Sequence, residues 1–189
     1  MKQSLKRLFL DTEFTGLTQD TSLISLAIVA DSGEQFYAEF TDFNSSKIAD
    51  WLQENVIDQL FLNKNNTCQN LAQYYILGTK TEIAKALKLW IAQFRPNNND
   101  IGPFLQIWAD VPHYDWVLFC ELFGGAFGLP DSIHYMPMDM ATLLFIKGID
   151  LDIDREALAN TEDLKALKKH NALYDTLVIK SIFENLENK

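Results

Sequence analysis

The chain has 189 residues, 48% of them hydrophobic and 12% aromatic, enough for one compact domain with a sizeable core. A net charge of −10 excludes a protein that coats nucleic acid through a broad basic surface, but not an enzyme that grips the end of a short strand. No apolar run approaches the ~20 residues that span a bilayer, Cys68 and Cys120 form no zinc-type cluster, and the stretch from Arg7 to Asp11 is too short for a secretion signal, so a cytoplasmic protein without a membrane partner is expected.

Residues 5–13 read as a strand whose apolar run Leu8-Phe9-Leu10 ends at Asp11. Residues 21–30 read as a second, mostly buried strand. After the turn Asp31-Ser32-Gly33-Glu34, residues 35–41 alternate like a third, which predicts an antiparallel meander. A helix is expected over 47–62, with Trp51, Leu52, Val56 and Leu60 inward, followed by an Asn-rich loop over 63–70. The next helix is expected over 81–94, with Ile83, Leu87, Trp90 and Ile91 or Phe94 on one face. Arg95 to Asp100 is a polar break, and 104–109 a strand. A helix over 114–123 ends at Gly124-Gly125. A short strand over 133–138 and helices over 139–147, 161–168 and 172–187 complete the chain. Strands followed by helices interleaved with further strands predict an α/β fold with a mixed central sheet flanked by helices. No repeat or linker divides the chain, so residues 1–189 are expected to form a single domain.

Four acids carry the chemistry. Asp11 and Glu13 end the first strand, where burying a carboxylate is costly without a cation or a full set of hydrogen bonds. Asp115 precedes Leu118, Phe119 and Leu122 at i+3, i+4 and i+7. Asp175 heads a similar stripe of Val178, Ile179, Ile182 and Leu186. Each helical acid stands where a core residue is expected. Alone, each reads as a helix cap or dipole partner, and Asp11 with Glu13 reads as an exposed strand end. Together they can converge on one sheet edge, where mutual repulsion raises their pKa values and divalent cations relieve it. Oxygen ligands without thiolates suit Mg²⁺ or Mn²⁺. His170 is expected on a loop, with Asn171 capping the last helix, a placement suited to a general base. His134 reads as a surface histidine, while His113 is near enough to Asp115 to touch substrate.

Asp11-Thr12-Glu13-Phe14-Thr15-Gly16-Leu17 resembles the first motif of the DEDDh (DnaQ-like) 3′–5′ exonucleases, and His170-Asn171-Ala172-Leu173-Tyr174-Asp175 is similar to their third. Asp115 fits the middle motif, where Pro112-His113-Tyr114 stands in place of the common His-Asn. Asp110 competes for that ligand role but falls outside the apolar stripe. Trp108-Ala109 through Leu122-Phe123-Gly124, with Pro137-Met138-Asp139-Met140, resembles the compact bacterial, mycobacterial-type 3′–5′ exoribonucleases, which are related to oligoribonuclease and ribonuclease T.

The resemblance implies a ribonuclease H-like fold and a hydrolase that releases nucleoside 5′-monophosphates from the 3′ end of single-stranded nucleic acid, with RNA favoured. It implies two metal ions roughly 3.5–4 Å apart at the scissile phosphate. Asp11 would bridge both, Glu13 and Asp175 would hold the nucleophile-side ion, and Asp115 would support the other. His170 would accept the proton of the attacking water. Substrate contacts are expected from the backbone of Phe14 and Thr15, from Leu17 as a wedge against the last base, and from His113 and Tyr114. Trp108 and Trp116 are further stacking candidates, or else core, and Lys165, Lys168 and Lys169 are phosphate candidates, or else a solvated face. Action on DNA ends and a non-catalytic nucleic-acid-binding module are the alternatives. The related ribonucleases are dimers, which makes a homodimer possible here.

Overall fold

Strand β1 (Lys6–Phe14) lies inside a mixed sheet of order β4-β5-β3-β2-β1-β6-β7. The computed structural model describes residues 5–62, 66–96, 102–164 and 166–187. β1, β2 (Leu23–Ala30) and β3 (Gln35–Phe40) form the expected antiparallel meander. β5 (Gln73–Gly78) runs parallel to β3, with the two-residue β4 (Cys68–Gln69) antiparallel at its edge. On the other side β6 (Leu105–Ala109) runs parallel to β1, and β7 (Met138–Asp139) parallel to β6. Every residue of β2 is buried, as expected of a strand covered on both faces.

Helices cover both faces. Leu8 and Leu10 of β1 join Leu26, Ile28 and Phe36 in a core closed by α2 (Lys80–Ala92) and α3 (His113–Glu121). α2 begins with a capping box between Thr79 and Glu82, and its buried stripe is Ile83, Ala86, Leu87, Trp90 and Ile91. On the opposite face Phe9 packs with Val178, Ile179, Ile182 and Phe183 of α6 (Ala172–Glu187), and with Met140 and Leu144 of α4 (Met140–Ile146). Among the described residues no helix is long and apolar enough to cross a membrane.

Four expectations need correction. The strand expected over 133–138 is only β7 at its far end, with an isolated bridge between Leu105 and Ile133. The helix expected over 47–62 is only α1 (Asp50–Asn55), flanked by single 3₁₀ turns at Ser45–Lys47 and Ile57–Gln59. Asn55 donates its side-chain amide to the Trp51 carbonyl, and β-branched Val56 and Ile57 follow, so the helix stops. Trp51 is consequently 56% exposed rather than inward. Residues 73–78, given no element by the sequence reading, form β5, so the loop expected over 63–70 leads into a strand pair, though 63–65 themselves fall outside the described residues. The helix expected over 161–168 is a 3₁₀ turn at Glu162–Leu164, and the true helix nearby is the four-residue α5 (Arg155–Leu158). Lys165 and the Asn97–Asn99 run also fall outside the described residues.

Candidate active site

Side chains of a strand alternate between its faces. Phe9 of β1 packs toward α6, so Asp11 and Glu13 fall on the α6 side, while Thr12 shares the side of Leu8 and Leu10 with α3. The regular register with β2 breaks between Glu13 and Phe14, at the end of the strand that carries the acids. α3 supplies Asp115 from its first turn, and α6 supplies Asp175 from its own. Asp11, Glu13, Asp115, Asp175 and His170 all line one cleft of about 310 Å³.

Hydrogen bonds fix two of these carboxylates. Oδ1 of buried Asp115 accepts from the Thr12 N–H at 3.0 Å and from the Thr12 hydroxyl at 2.6 Å. Oδ2 of Asp175 accepts from the His170 N–H at 2.8 Å. Asn171 caps α6, its side-chain oxygen accepting from the N–H groups of Leu173 (3.1 Å) and Tyr174 (3.4 Å), as the sequence predicts. His170, just before this cap, has a φ of 66°, a left-handed conformation that L residues seldom adopt. One ligand atom each from Glu13, His170 and Asp175 lie within 4.8 Å of one another.

Electrostatics set the four acids apart from the rest of the chain. Loss of water, then the charges of Asp175 and Asp115, pushes Glu13 up to about 9. Burial raises Asp11 well above the carboxylate range, with Asp175 the strongest charged contributor. Burial also raises Asp175 to about 7 despite the His170 N–H, and raises Asp115 despite the two bonds from Thr12. Among the described residues no lysine or arginine pairs with any of the four. Carboxylates withdrawn from water, Asp115 fully and the other three in part, are costly without cation partners unless a metal neutralises them, and an all-oxygen carboxylate set fits hard divalent ions. Burial and the neighbouring Lys169 charge lower the His170 pKa, which favours the neutral, proton-accepting imidazole.

Asp110, the sequence competitor to Asp115, also lines the cleft but carries its own cation. Arg155 of α5 donates to it through Nε at 2.6 Å and Nη2 at 3.3 Å, while Nη1 donates to the Leu151 and Ile153 carbonyls.

The other candidates separate into surface and core. Leu17 is 74% exposed beyond Glu13, and His113 is exposed at the start of α3. Phe14 lines the acidic cleft and stacks on Tyr114 at 5.3 Å, and Tyr114 with His113 lines a second cleft of about 310 Å³ alongside Thr18 and Val117. The Thr15 N–H donates to the Ser22 carbonyl at 3.0 Å, and its hydroxyl accepts from the Ser22 N–H at 3.0 Å, so both hold the β1–β2 loop closed. Trp108 packs on Phe183 and Trp116 on Phe119, which makes them core. Lys168 is exposed, and Lys169 pairs with Asp154 at 3.5 Å on the cleft rim.

Two neighbours of the site went unnoticed in the sequence reading. Thr12 orients Asp115, and its signal was its place between two acids on an alternating strand. Trp51 meets the His170 ring edge-on at 5.1 Å and 72°, and a helical period that turned it inward hid it.

The sequence profile of the 3'-5' exoribonuclease Rv2179c-like domain matches residues 6–186. The chain is 27% identical over 137 residues to the 3'-5' exoribonuclease Rv2179c of Mycobacterium tuberculosis (strain H37Rv), covering 72% of this chain and 73% of that protein. Its fold is similar to that of cell-death related nuclease 4 (CRN-4), with a TM-score of 0.61 at 13% identity, over 98% of this chain and 64% of that one. It is also similar to the nuclease domain of 3'hExo, a DEDDh family member solved bound to rAMP, with a TM-score of 0.56 at 10% identity over 99% of this chain and 94% of that one.

Proposed function

The chain belongs to the family of Rv2179c-like 3'-5' exoribonuclease domains, and on that premise we propose that it removes nucleotides stepwise from the 3′ end of single-stranded RNA or short oligonucleotides, releasing nucleoside 5′-monophosphates. The observation that carries this reading is the meeting of Asp11, Glu13, Asp115, Asp175 and His170 at one cleft, from a strand, two helices and a loop far apart in sequence. We further propose that residues 1–189 act as a single catalytic domain.

Asp11, Glu13, Asp115 and Asp175 would hold two divalent cations, Mg²⁺ or Mn²⁺. When bound, such ions supply the positive charge that acidifies a water and steadies the leaving 3′ oxygen. The closeness of Glu13, Asp175 and His170 supports a role for the two acids on the side of the attacking water, and Asp11 and Asp115, which line the same cleft, would complete the set that holds the ions. Thr12 occupies one oxygen of Asp115, which lines the cleft. His170, whose pKa burial and the Lys169 charge lower, accepts the proton of the water. Leu17 wedges against the terminal base, while Phe14, His113 and Tyr114 offer aromatic surface to the strand. The Phe14 and Thr15 backbone lies beside the acids for contact with the terminal ribose, although the Thr15 N–H is already taken by Ser22.

Matched RNA and DNA strands with free or blocked 3′ ends, incubated with Mn²⁺, test the reading. The expected result is stepwise shortening of RNA from a free 3′ end, slower loss of DNA, and protection by the block. Cutting of a circular RNA, or no release of mononucleotide from any strand, would overturn it.

A further inference from the structure

General bases are usually held in aim by a hydrogen bond from a third group. Among the described residues nothing hydrogen-bonds either ring nitrogen of His170; the bond it makes is through its backbone N–H. The ring contact it does have is Trp51, edge-on at a centroid distance of 5.1 Å. Trp51 lies on a helix of six residues that buries none of them, so ordinary core packing does not explain why it stands there.

Its segment is nevertheless pinned. Glu39 is 2% exposed, and its carboxylate accepts the N–H groups of Phe61 (2.8 Å) and Leu62 (3.1 Å) and the Tyr37 hydroxyl (2.8 Å). Asn171 then donates its side-chain amide to the Tyr37 oxygen at 3.2 Å and to the Gln59 carbonyl at 3.3 Å. Asn171 also caps α6 and follows His170 directly. The residue beside the histidine therefore grips the segment that carries the tryptophan. This buried chain from Glu39 through Tyr37 to Asn171 sets the Trp51 arch and the His170 loop in one frame.

We propose that Trp51 is a positioning residue for His170, its ring confining the imidazole to the orientation that accepts the proton of the attacking water. The inference rests on the reading of His170 as that acceptor. An aromatic contact of this kind converts into a rate effect of about 3–10-fold when it is lost.

The test is a double-mutant cycle on the full chain, with kcat and KM measured on a short RNA in Mn²⁺. Trp51→Ala should lower kcat about 3–10-fold with KM within about twofold, and Trp51→Phe should recover most of the rate because it restores an aromatic ring. On a His170→Ala background, Trp51→Ala should cost nothing further. Equal losses on both backgrounds, or a rise in KM with kcat unchanged, would overturn the proposal and make Trp51 a substrate contact. An unchanged kcat in Trp51→Ala would overturn it as well. If His170→Ala alone keeps the parent rate, the reading of His170 as the base fails, and this inference fails with it. Thermal unfolding of each variant separates these outcomes from loss of fold.

Discussion

Two elements meet at His170, and they are built in opposite ways. α6 is 16 residues long and buries nine of them against β1, β2 and their neighbours. The arch carrying Trp51 contains a six-residue helix that buries none. α6 is held by area, at about 1.5–3 kcal/mol for each large apolar side chain buried. The arch is held by polar atoms on Glu39 and Asn171, with Val56, Phe61 and Leu62 adding apolar contact. The acids of the cleft ride on the first kind of element and can change without unfolding it. The residue that meets the histidine rides on the second, where one lost acceptor is felt at once.

That contrast can be broken, beginning with the largest effect. Asp11→Ala should bring nucleotide release below detection. With metal chelated, its thermal midpoint should equal or exceed the parent's, because the substitution removes a carboxyl group whose ionised form burial and the neighbouring acids disfavour. A collapse of the midpoint would mean that Asp11 is structural. His170→Ala should slow hydrolysis by roughly 10²–10⁴-fold, the usual scale for acid–base catalysis, without a change in stability. Glu39→Ala removes no cleft residue, yet it strands the buried Leu62 N–H and the half-buried Phe61 N–H. It should cost about 3 kcal/mol in denaturant unfolding and slow turnover as well. A loss below about 1 kcal/mol would show that the arch has another anchor.

The last effect is one of pH. Glu13 and Asp175 have folded pKa values of about 9 and about 7, above those of free carboxylates. A raised folded pKa gives stability that is present below the unfolded value and is lost as pH rises toward the folded one. Chelated protein should therefore melt at a lower temperature at pH 9 than at pH 6, and saturating Mn²⁺ should remove most of that difference. A chelated midpoint that rises with pH would contradict the shifts.

The comparison also separates what the sequence disclosed from what it hid. β1, β2, β3 and α6 carry long apolar patterns of one period, and their expected bounds lie within about two residues of those found. The acids were visible because each interrupts such a pattern, as Asp115 and Asp175 do at the heads of their helical stripes. The arch was misread because the local stop at Asn55 is joined by partners far along the chain. Glu39 draws Phe61 and Leu62 out of helical geometry, and Asn171 draws Gln59. Neither bond leaves a mark in the local period of residues 47–62. β5 was missed for a similar reason, since its parallel pairing with β3 comes from a distant strand. Asp110 looked like a rival ligand until Arg155, 45 residues away, was found holding it.

The account stands or falls on whether the four unpaired acids bind metal together. Crystals soaked in Mn²⁺ and measured by anomalous scattering give the most direct answer. The account predicts two peaks in the cleft, within bonding distance of Asp11, Glu13, Asp115 and Asp175, which vanish in Asp11→Ala. Peaks found only elsewhere on the surface, or none at all at saturating manganese, would contradict it.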